Sequence, residues 1–323
     1  MKHFRPRLSR RAFWVLCALL VCLRLALTGF QQAYIWVGGA PLDDELMFRA
    51  ANHITAGQWL GAYDYLTLSK AMFFPVWLAL LHALHLPYLI SGAALWCGAA
   101  LLATFAFSTL WRKKDPTQGR VLTLGLFAVL AFLPSSWAAY TLRVYRDNIF
   151  PALCLYFFAG MAGMALRAVF TPEKPLWPWL AAAGAGLACG YLDREDAGLF
   201  LLPFAAAATV IVAVVLAGKR RWKALAAQVI PYVMLGVGVL TFCTLNYTHY
   251  GVFALSDFSE GSFAAAMGAM MRVDTDSTAP YLSVPADARK KIYDAVPELE
   301  PLAYWLEEDA QLQNDFRDPN LDD

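Results

Sequence analysis

The chain has 323 residues, of which 59% are hydrophobic and 16% are charged, and its formal net charge is +1. Soluble domains usually carry about 25% charged residues. The composition therefore excludes an ordinary soluble domain and indicates a membrane protein. No basic stripe with interleaved aromatic residues is present, which argues against a nucleic-acid partner.

Charge is unevenly distributed along the chain. Residues 1–250 contain 21 Lys and Arg against 10 Asp and Glu, whereas residues 251–323 contain 5 against 15. This contrast predicts two regions, a membrane body over 1–250 and an acidic tail over 251–323. About 70 residues seldom supply an independent core. The tail is therefore expected to be a small region of mixed structure that packs on the outer loops or continues beyond residue 323.

Apolar segments predict an all-α polytopic membrane protein with about seven transmembrane helices. A spanning helix needs about 20 apolar residues, and the following segments approach or exceed that length: 12–37, 88–110, 120–140, 148–168, 178–192, 197–217 and 224–247. The first is too long for the apolar core of a signal peptide, so it is predicted to remain as a helix. The fifth is short, and its small residues between Ala181 and Ala188 favour close helix packing.

Topology depends on the apolar run from Ala71 to Leu86. Pro75 and Pro87 bracket only about eleven of its residues, a length that suits an interfacial or re-entrant helix in the first outer loop. If this run does not span, the basic segments at the N-terminus, at 111–120, near Lys174 and at 218–223 all face the cytoplasm, as such segments usually do. We therefore expect the N-terminus inside and the tail outside.

Three consecutive acids, Asp43, Asp44 and Glu45, follow the first predicted span. Apolar residues with helical spacing come next, so Asp43 is a candidate N-cap of a juxtamembrane helix. A cap explains one acid well and three acids poorly. The alternative is a general base or a set of metal ligands, with His53 as a further ligand if a divalent metal ion binds.

Cations recur near the same predicted membrane face. Arg143 and Arg146 are three residues apart, which on a helical turn places both on one side, where two guanidinium groups can clamp a phosphate. Lys70 is a candidate point-charge partner for the same phosphate. The alternatives are that the arginines are interfacial anchors, with Tyr145 in an aromatic belt, and that Lys70 only extends to the interface.

A second charged group, from Asp193 to Asp196, separates two apolar segments with almost no loop. These charges either stop the two helices or contribute to a site. No serine-hydrolase, zinc-protease or nucleotide-phosphate motif is present in the chain.

Three motifs resemble the GT-C superfamily of integral-membrane glycosyltransferases, in the branch of the protein O-mannosyltransferases and the lipid A aminoarabinose transferases. Asp44-Glu45 followed by Phe48 matches the acidic pair after the first span of that family. Lys70 before a Pro-containing aromatic helix is similar to a second family motif, and Asp147 at the start of the fourth span matches a third. Members of the family usually have further spans or a larger outer domain, so the chain is expected to be a truncated or a minimal member.

The resemblance implies transfer of a sugar from a polyprenyl-phosphate donor to a glycan, lipid or protein acceptor at the extracytoplasmic face. Asp44 is then the expected base, and Asp43 and Glu45 support it or bind a metal ion. The other expected roles are donor-phosphate binding for Lys70, Arg143, Arg146 and Arg194, and acceptor binding or orientation for Asp147, Asp193 and Glu195. A transporter or a non-catalytic lipid-binding membrane protein is the alternative.

Overall fold

The computed structural model describes residues 8–36, 38, 41–111, 116–277 and 282–312. Within these ranges the regular structure is helical, with one isolated parallel β-bridge between Tyr34 and Arg143. The longer helices are α1 (Arg10–Thr28), α2 (Pro41–Thr55), α3 (Phe73–Ala83), α4 (Tyr88–Ser108), α5 (Pro116–Ala131), α7 (Phe150–Phe170), α8 (Trp177–Asp193), α9 (Ala197–Gly218) and α11 (Ile230–Tyr250). The shorter α-helices of the first part are α6 (Ala139–Leu142) and α10 (Trp222–Ala227), and 3-10 turns cover Pro134–Trp137 and Arg146–Asn148.

Five described helical segments are long and apolar enough to cross a membrane, namely α1, α4, α7, α9 and the combined segment Trp222–Tyr250. A sixth results if Gln118–Ala131 and Pro134–Leu142, which meet at a bend of 44°, count as one span. The described part of the chain is thus all helical, and its long apolar helices are compatible with a membrane protein. The prediction of a short apolar helix within residues 71–86 is confirmed by α3, which has 11 residues. Its bounds differ from the prediction, because Pro75 is the third residue of the helix and does not precede it.

Three predicted spans differ from the observed helices. The first, 12–37, ends as a helix at Thr28, and residues 32–36 continue without helical structure. The third, 120–140, is broken where Pro134 follows α5. The fifth corresponds to α8, whose 17 residues reach only about 25 Å, less than the hydrocarbon core of about 30 Å.

Glycines bring α7 and α8 into backbone contact, as the small residues of the fifth segment predict. A Cβ atom on Gly160 would lie 2.5 Å from the backbone nitrogen of Ala183, and one on Gly186 would lie 2.4 Å from the backbone nitrogen of Phe157. The hydrophobic driving force for association is weak between helices in lipid. Close backbone packing, which small residues allow, takes its place. The pair forms the centre of the largest buried cluster, around Phe157, Leu180 and Leu187.

Contacts between helix termini define two opposite ends of the helical bundle in the first part of the chain. At the basic end, where α1 and α5 begin and α7 and α9 end, Arg120 Nε donates to the Leu8 carbonyl at 2.7 Å and Lys219 Nζ to the Ala168 carbonyl at 2.9 Å. At the opposite end, the indole of Trp59 donates to Asn246 Oδ1 at 2.9 Å. The charged groups considered above lie at this opposite end.

Residues Met1–Ser256 and Asp257–Asp323 form two compact units, so the division falls six residues after the predicted boundary at 250. The second unit contains α12 (Asp257–Glu260), α13 (Ser262–Met270), α14 (Ala286–Ala295), α15 (Pro301–Ala303), a 3-10 turn at Pro297–Leu299 and a π-helical turn at Tyr304–Glu308. Within this unit Arg289 pairs with Glu307 at 2.5 Å, and Thr275 donates to Asp287 at 2.7 Å.

Candidate functional site

Four short segments meet at the end of the bundle opposite the basic end: the first turn of α2, residues 70–71 before α3, residues 143–147 before α7, and residues 193–196 between α8 and α9. The β-bridge between Tyr34 and Arg143 joins the chain that follows α1 to the segment that precedes α7. Tyr34 N–H donates to the Leu142 carbonyl at 3.1 Å, and Val144 N–H donates to the Tyr34 carbonyl at 2.9 Å. These bonds hold the chain after α1 against the segment that carries the two arginines.

Asp44 is buried in an ion pair with Arg143. The carboxylate is 1% exposed, and its Oδ1 accepts hydrogen bonds from Arg143 Nε at 2.9 Å and from Arg143 Nη2. Its Oδ2 accepts from the backbone N–H of Trp36 at 2.6 Å. Asp44 therefore has a partner on each oxygen, and it holds Arg143 in place beside it.

Asp43 has a different environment, although it is the neighbouring residue. Its Oδ1 lies 3.0 Å from Lys70 Nζ, and its Oδ2 accepts from the Tyr145 hydroxyl at 3.2 Å. The side chain is 32% exposed, so it can be reached from solvent. Asp43 is the third residue of α2 and not its N-cap, so the capping prediction is wrong. Pro41 starts the helix, and the Asp43 side chain pairs with Lys70.

Tyr145 connects the two arginines with the acids. Its ring centroid is 4.2 Å from the guanidinium carbon of Arg143 and 5.1 Å from that of Arg146. Its hydroxyl accepts from Arg146 Nη2 at 3.0 Å while it donates to Asp43. The sequence predicts only an aromatic-belt position for Tyr145. Its position between two arginines was the one signal that could have identified it.

Arg146 completes the connection to the loop between α8 and α9. It donates to Glu195 Oε2 at 2.8 Å and to the Asp193 carbonyl at 3.1 Å. Glu195 in turn accepts from the backbone N–H of Ala71 at 2.5 Å. Because Ala71 follows Lys70, the contacts close a loop, which we call the charged ring: Asp43, Lys70, Tyr145, Arg146 and Glu195.

Contacts within the ring favour the charged forms of Glu195 and Arg146. Burial alone would raise the pKa of Glu195, but the charge of Arg146 and the N–H of Ala71 hold that pKa below its ordinary value. Burial disfavours the charged guanidinium of Arg146, but the nearby Tyr145 and Glu195 raise its pKa above the usual range. Arg146 and Glu195 therefore form an ionised pair within the ring, in which each charge compensates the other.

Arg143 and Arg146 do not share one side of a helical turn, contrary to prediction. Arg143 has an extended backbone after α6, and Arg146 begins a separate 3-10 turn. Each therefore reaches a different carboxylate, Asp44 and Glu195 respectively. The structure places both beside Tyr145 but gives each its own acidic partner.

Arg194 and its partners lie next to the ring without joining it. Arg194 Nη1 is 3.0 Å from Asp147, and its Nε is 3.3 Å from Asp196. Asp193 is fully buried, and neither of its carboxylate oxygens has a hydrogen-bond partner among the described residues. Such a group is costly to bury, and only its backbone carbonyl serves the ring.

The remaining candidates are not brought into the ring. Glu45 is 57% exposed and lies 3.8 Å from Arg49, one helical turn along α2. His53 forms a hydrogen bond with Gln58 at 2.9 Å. Across the described ranges, no group of three or more His, Cys, Asp or Glu residues is arranged to hold a metal ion. The ligand set Asp43, Asp44 and His53 does not fit a metal ion, because each residue has another partner.

Comparison with known proteins adds no identification. No family model, curated protein or solved structure matches the chain. Function has to be argued from the charged ring and its surroundings.

Proposed function

We propose that the protein is a membrane glycosyltransferase that moves a sugar from a polyprenyl-phosphate-linked donor to an acceptor at the extracytoplasmic face. The observation that carries this proposal is the charged ring, in which an accessible carboxylate lies 3.0 Å from a lysine at one end of an apolar helical bundle. The reaction needs a base for the acceptor hydroxyl and cations for the departing phosphate. The ring contains both.

Asp43 is the better candidate for the base in this arrangement. Asp44 would have to break its pair with Arg143 before accepting a proton, whereas Asp43 is partly exposed. In the proposed step the Asp43 carboxylate takes the proton of the acceptor hydroxyl, and the acceptor oxygen forms a bond to the anomeric carbon. The bond from that carbon to the phosphate oxygen breaks, and polyprenyl phosphate leaves with the electron pair. Asp44 acts as a positioning residue.

Lys70 is the proposed contact of the departing phosphate, because it is 29% exposed and its partner Asp43 is 32% exposed, so a phosphate can compete from the solvent side. Arg146 is only 6% exposed, and its proposed contribution is the positive charge that it places behind the partly exposed Glu195. Arg194 is a further accessible cation, at 33% exposure. Arg143 is buried against Asp44, and its proposed role is structural. The acceptor would approach over Asp43, with Asp147, Asp193 and Glu195 orienting the cations.

We also propose the seven-span topology with the charged ring outside. It counts α8 as a short span and the bent α5–α6 segment as one span. The positive-inside rule supports this orientation, because Arg10, Arg120 and Lys219 lie together at the basic end. The proposed location is the bacterial inner membrane.

Transfer from a radiolabelled polyprenyl-phosphate sugar by the purified protein tests the proposal. We expect Asp43→Asn to lower the rate about 10²–10⁴-fold, the usual contribution of a general base, while the variant still folds. Glu45→Gln is the matched control, because Glu45 is more exposed than Asp43 and its ion pair is with Arg49, outside the charged ring. Its rate should stay near that of the unmodified protein.

Two results would count against the proposal. Equal rates for Asp43→Asn and Glu45→Gln would remove Asp43 as the base. Binding of the donor without transfer, across a panel of sugars and acceptors, would instead indicate a lipid-binding protein.

A further inference from the structure

A cavity of about 490 Å³ lies at the basic end, far along the helices from the charged ring. Its walls come from the last turns of α4, the end of α7 and the beginning of α8. This volume falls within the range of about 300–1,000 Å³ that is typical of ligand sites. Nothing in the proposed transfer reaction uses it.

One wall of the cavity is cationic and polar. Arg167 lies in the last turn of α7, and its guanidinium carbon is 5.3 Å from the ring centroid of Trp179. Lys174 is exposed on the following loop. Between them, Thr171 Oγ1 is buried and has no hydrogen-bond partner among the described residues. Two cations and an unused hydroxyl donor are suited to an anionic oxygen group.

The other wall is apolar. Leu102 and Phe105 of α4 face the cavity together with the largely buried Trp179. Since α4 and α7 are both candidate spans that end here, the cavity lies where the hydrocarbon region of a bilayer gives way to its headgroups. A ligand with an acidic head and an apolar body matches both walls, whereas a free anion would use only one.

We propose that this cavity binds the headgroup of an anionic phospholipid, with its phosphodiester at Arg167, Thr171 and Lys174 and its glycerol and upper acyl chain against Leu102 and Phe105. Basic pockets between the cytoplasmic ends of membrane helices are suited to acidic lipids. The proposal depends on the second cavity and not on the chemistry at the charged ring.

Binding of short-chain phosphatidylglycerol to the delipidated full-length protein in detergent tests it, measured by native mass spectrometry and by the shift in Tm. The expected result is saturable binding of phosphatidylglycerol, with much weaker effects of phosphatidylcholine and of inorganic phosphate. The double variant Arg167→Gln/Lys174→Gln should weaken binding roughly twenty- to thirtyfold, because each cation contributes about 1 kcal/mol and 1.4 kcal/mol is tenfold.

The matched control is Arg221→Gln/Lys223→Gln, which removes the same two charges at the same end without altering the cavity lining. It should bind like the unmodified protein. If the double variant does not fold, Lys174→Gln alone replaces it, because Lys174 is exposed, and about a fivefold loss is expected.

Three results would overturn the proposal: equal binding by test and control variants, equal binding of phosphatidylcholine, and a Tm shift by inorganic phosphate as large as that by phosphatidylglycerol. The last would assign the cavity to a free phosphate.

Discussion

At the residue scale, the buried pair of Asp44 and Arg143 has a direct consequence for stability. Both side chains are at least 90% buried. A buried pair adds little net stability compared with apolar residues of the same volume, because both charges lose their hydration. Loss of one partner alone is costly, since the other charge then stays buried without compensation.

We expect Asp44→Ala to lower the free energy of unfolding by about 3–5 kcal/mol. Replacing both residues, as Asp44→Leu/Arg143→Met, should recover most of that loss. Glu45→Ala serves as the control and should change stability by no more than about 0.5 kcal/mol. Denaturant unfolding in detergent micelles measures all three. An Asp44→Ala variant as stable as Glu45→Ala would show that the pair is unimportant.

The lowered pKa of Glu195 predicts that the stability of the protein depends on pH. Its pKa is lower in the folded protein than in the unfolded chain. The contribution of Glu195 to the free energy of unfolding is therefore complete above the pKa of the unfolded chain, about 4.3. It is lost as the pH falls through the pKa of the folded protein. Because the side chain is 32% exposed, solvent screens the pair, and a contribution of about 1 kcal/mol is expected.

Tm measured between pH 3 and pH 7 for Glu195→Gln and for the unmodified protein tests this dependence. The two values should differ above about pH 4.3 and converge below it. Glu173→Gln, an exposed glutamate of the same unit, should show no such convergence. A constant difference between Glu195→Gln and the unmodified protein across the range would contradict the assignment.

At the element scale, the contact between α7 and α8 is set by glycine. Gly160 has backbone atoms of Ala183 and Trp179 at 2.5 and 2.6 Å from the position of an added Cβ. Backbone atoms cannot rotate away as a side chain can, so a methyl group there forces the two helices apart.

Gly160→Ala should destabilise the protein by about 1–3 kcal/mol, the usual cost of overpacking. Gly236 in α11 is the matched control, because an added Cβ there meets nothing within 4 Å. Gly236→Ala should be neutral or should stabilise the helix by up to about 1 kcal/mol. Thermal unfolding in detergent compares the two, and equal Tm values would show that α7 and α8 can separate freely.

Several elements could be predicted because their signals are local. The apolar helix α3 followed from the short apolar run between residues 71 and 86, and the close packing of α8 followed from its small residues. The contacts of the charged ring could not be predicted in this way. Arg143 and Asp44 are 99 residues apart, and no periodicity links them. The extended backbone at Arg143 and the central place of Tyr145 also depend on tertiary contacts, including the bridge to Tyr34.

At the scale of the whole molecule, the two ends of the first unit carry different chemistry. One end has the basic loops and the cavity beside Arg167, and the other has the charged ring. The membrane body was predicted from composition, and its helical class from the lengths of the apolar segments. The exact number of spans did not, because a bend after α5 and the short α8 depend on packing and not on mean hydropathy.

Labelling with a membrane-impermeant maleimide in intact cells checks the proposed orientation. A cysteine at the exposed Glu45 should react without permeabilisation, and a cysteine at the exposed Lys223 should react only after it. The unmodified protein, whose six cysteines all lie in apolar helices, is the background control. The reverse pattern would place the charged ring in the cytoplasm.

The closure of the charged ring has a consequence for biosynthesis. Ala71 and Glu195 are separated by 124 residues, which a ribosome adds in roughly 6–25 s at about 5–20 residues per second. Until then Arg146 lacks the carboxylate of Glu195 and needs water or lipid phosphate as a temporary partner, whereas Lys70 can already pair with Asp43. A chain arrested before residue 195 would leave Arg146 without its carboxylate, so correct insertion of the hairpin around Arg194 completes the charged ring.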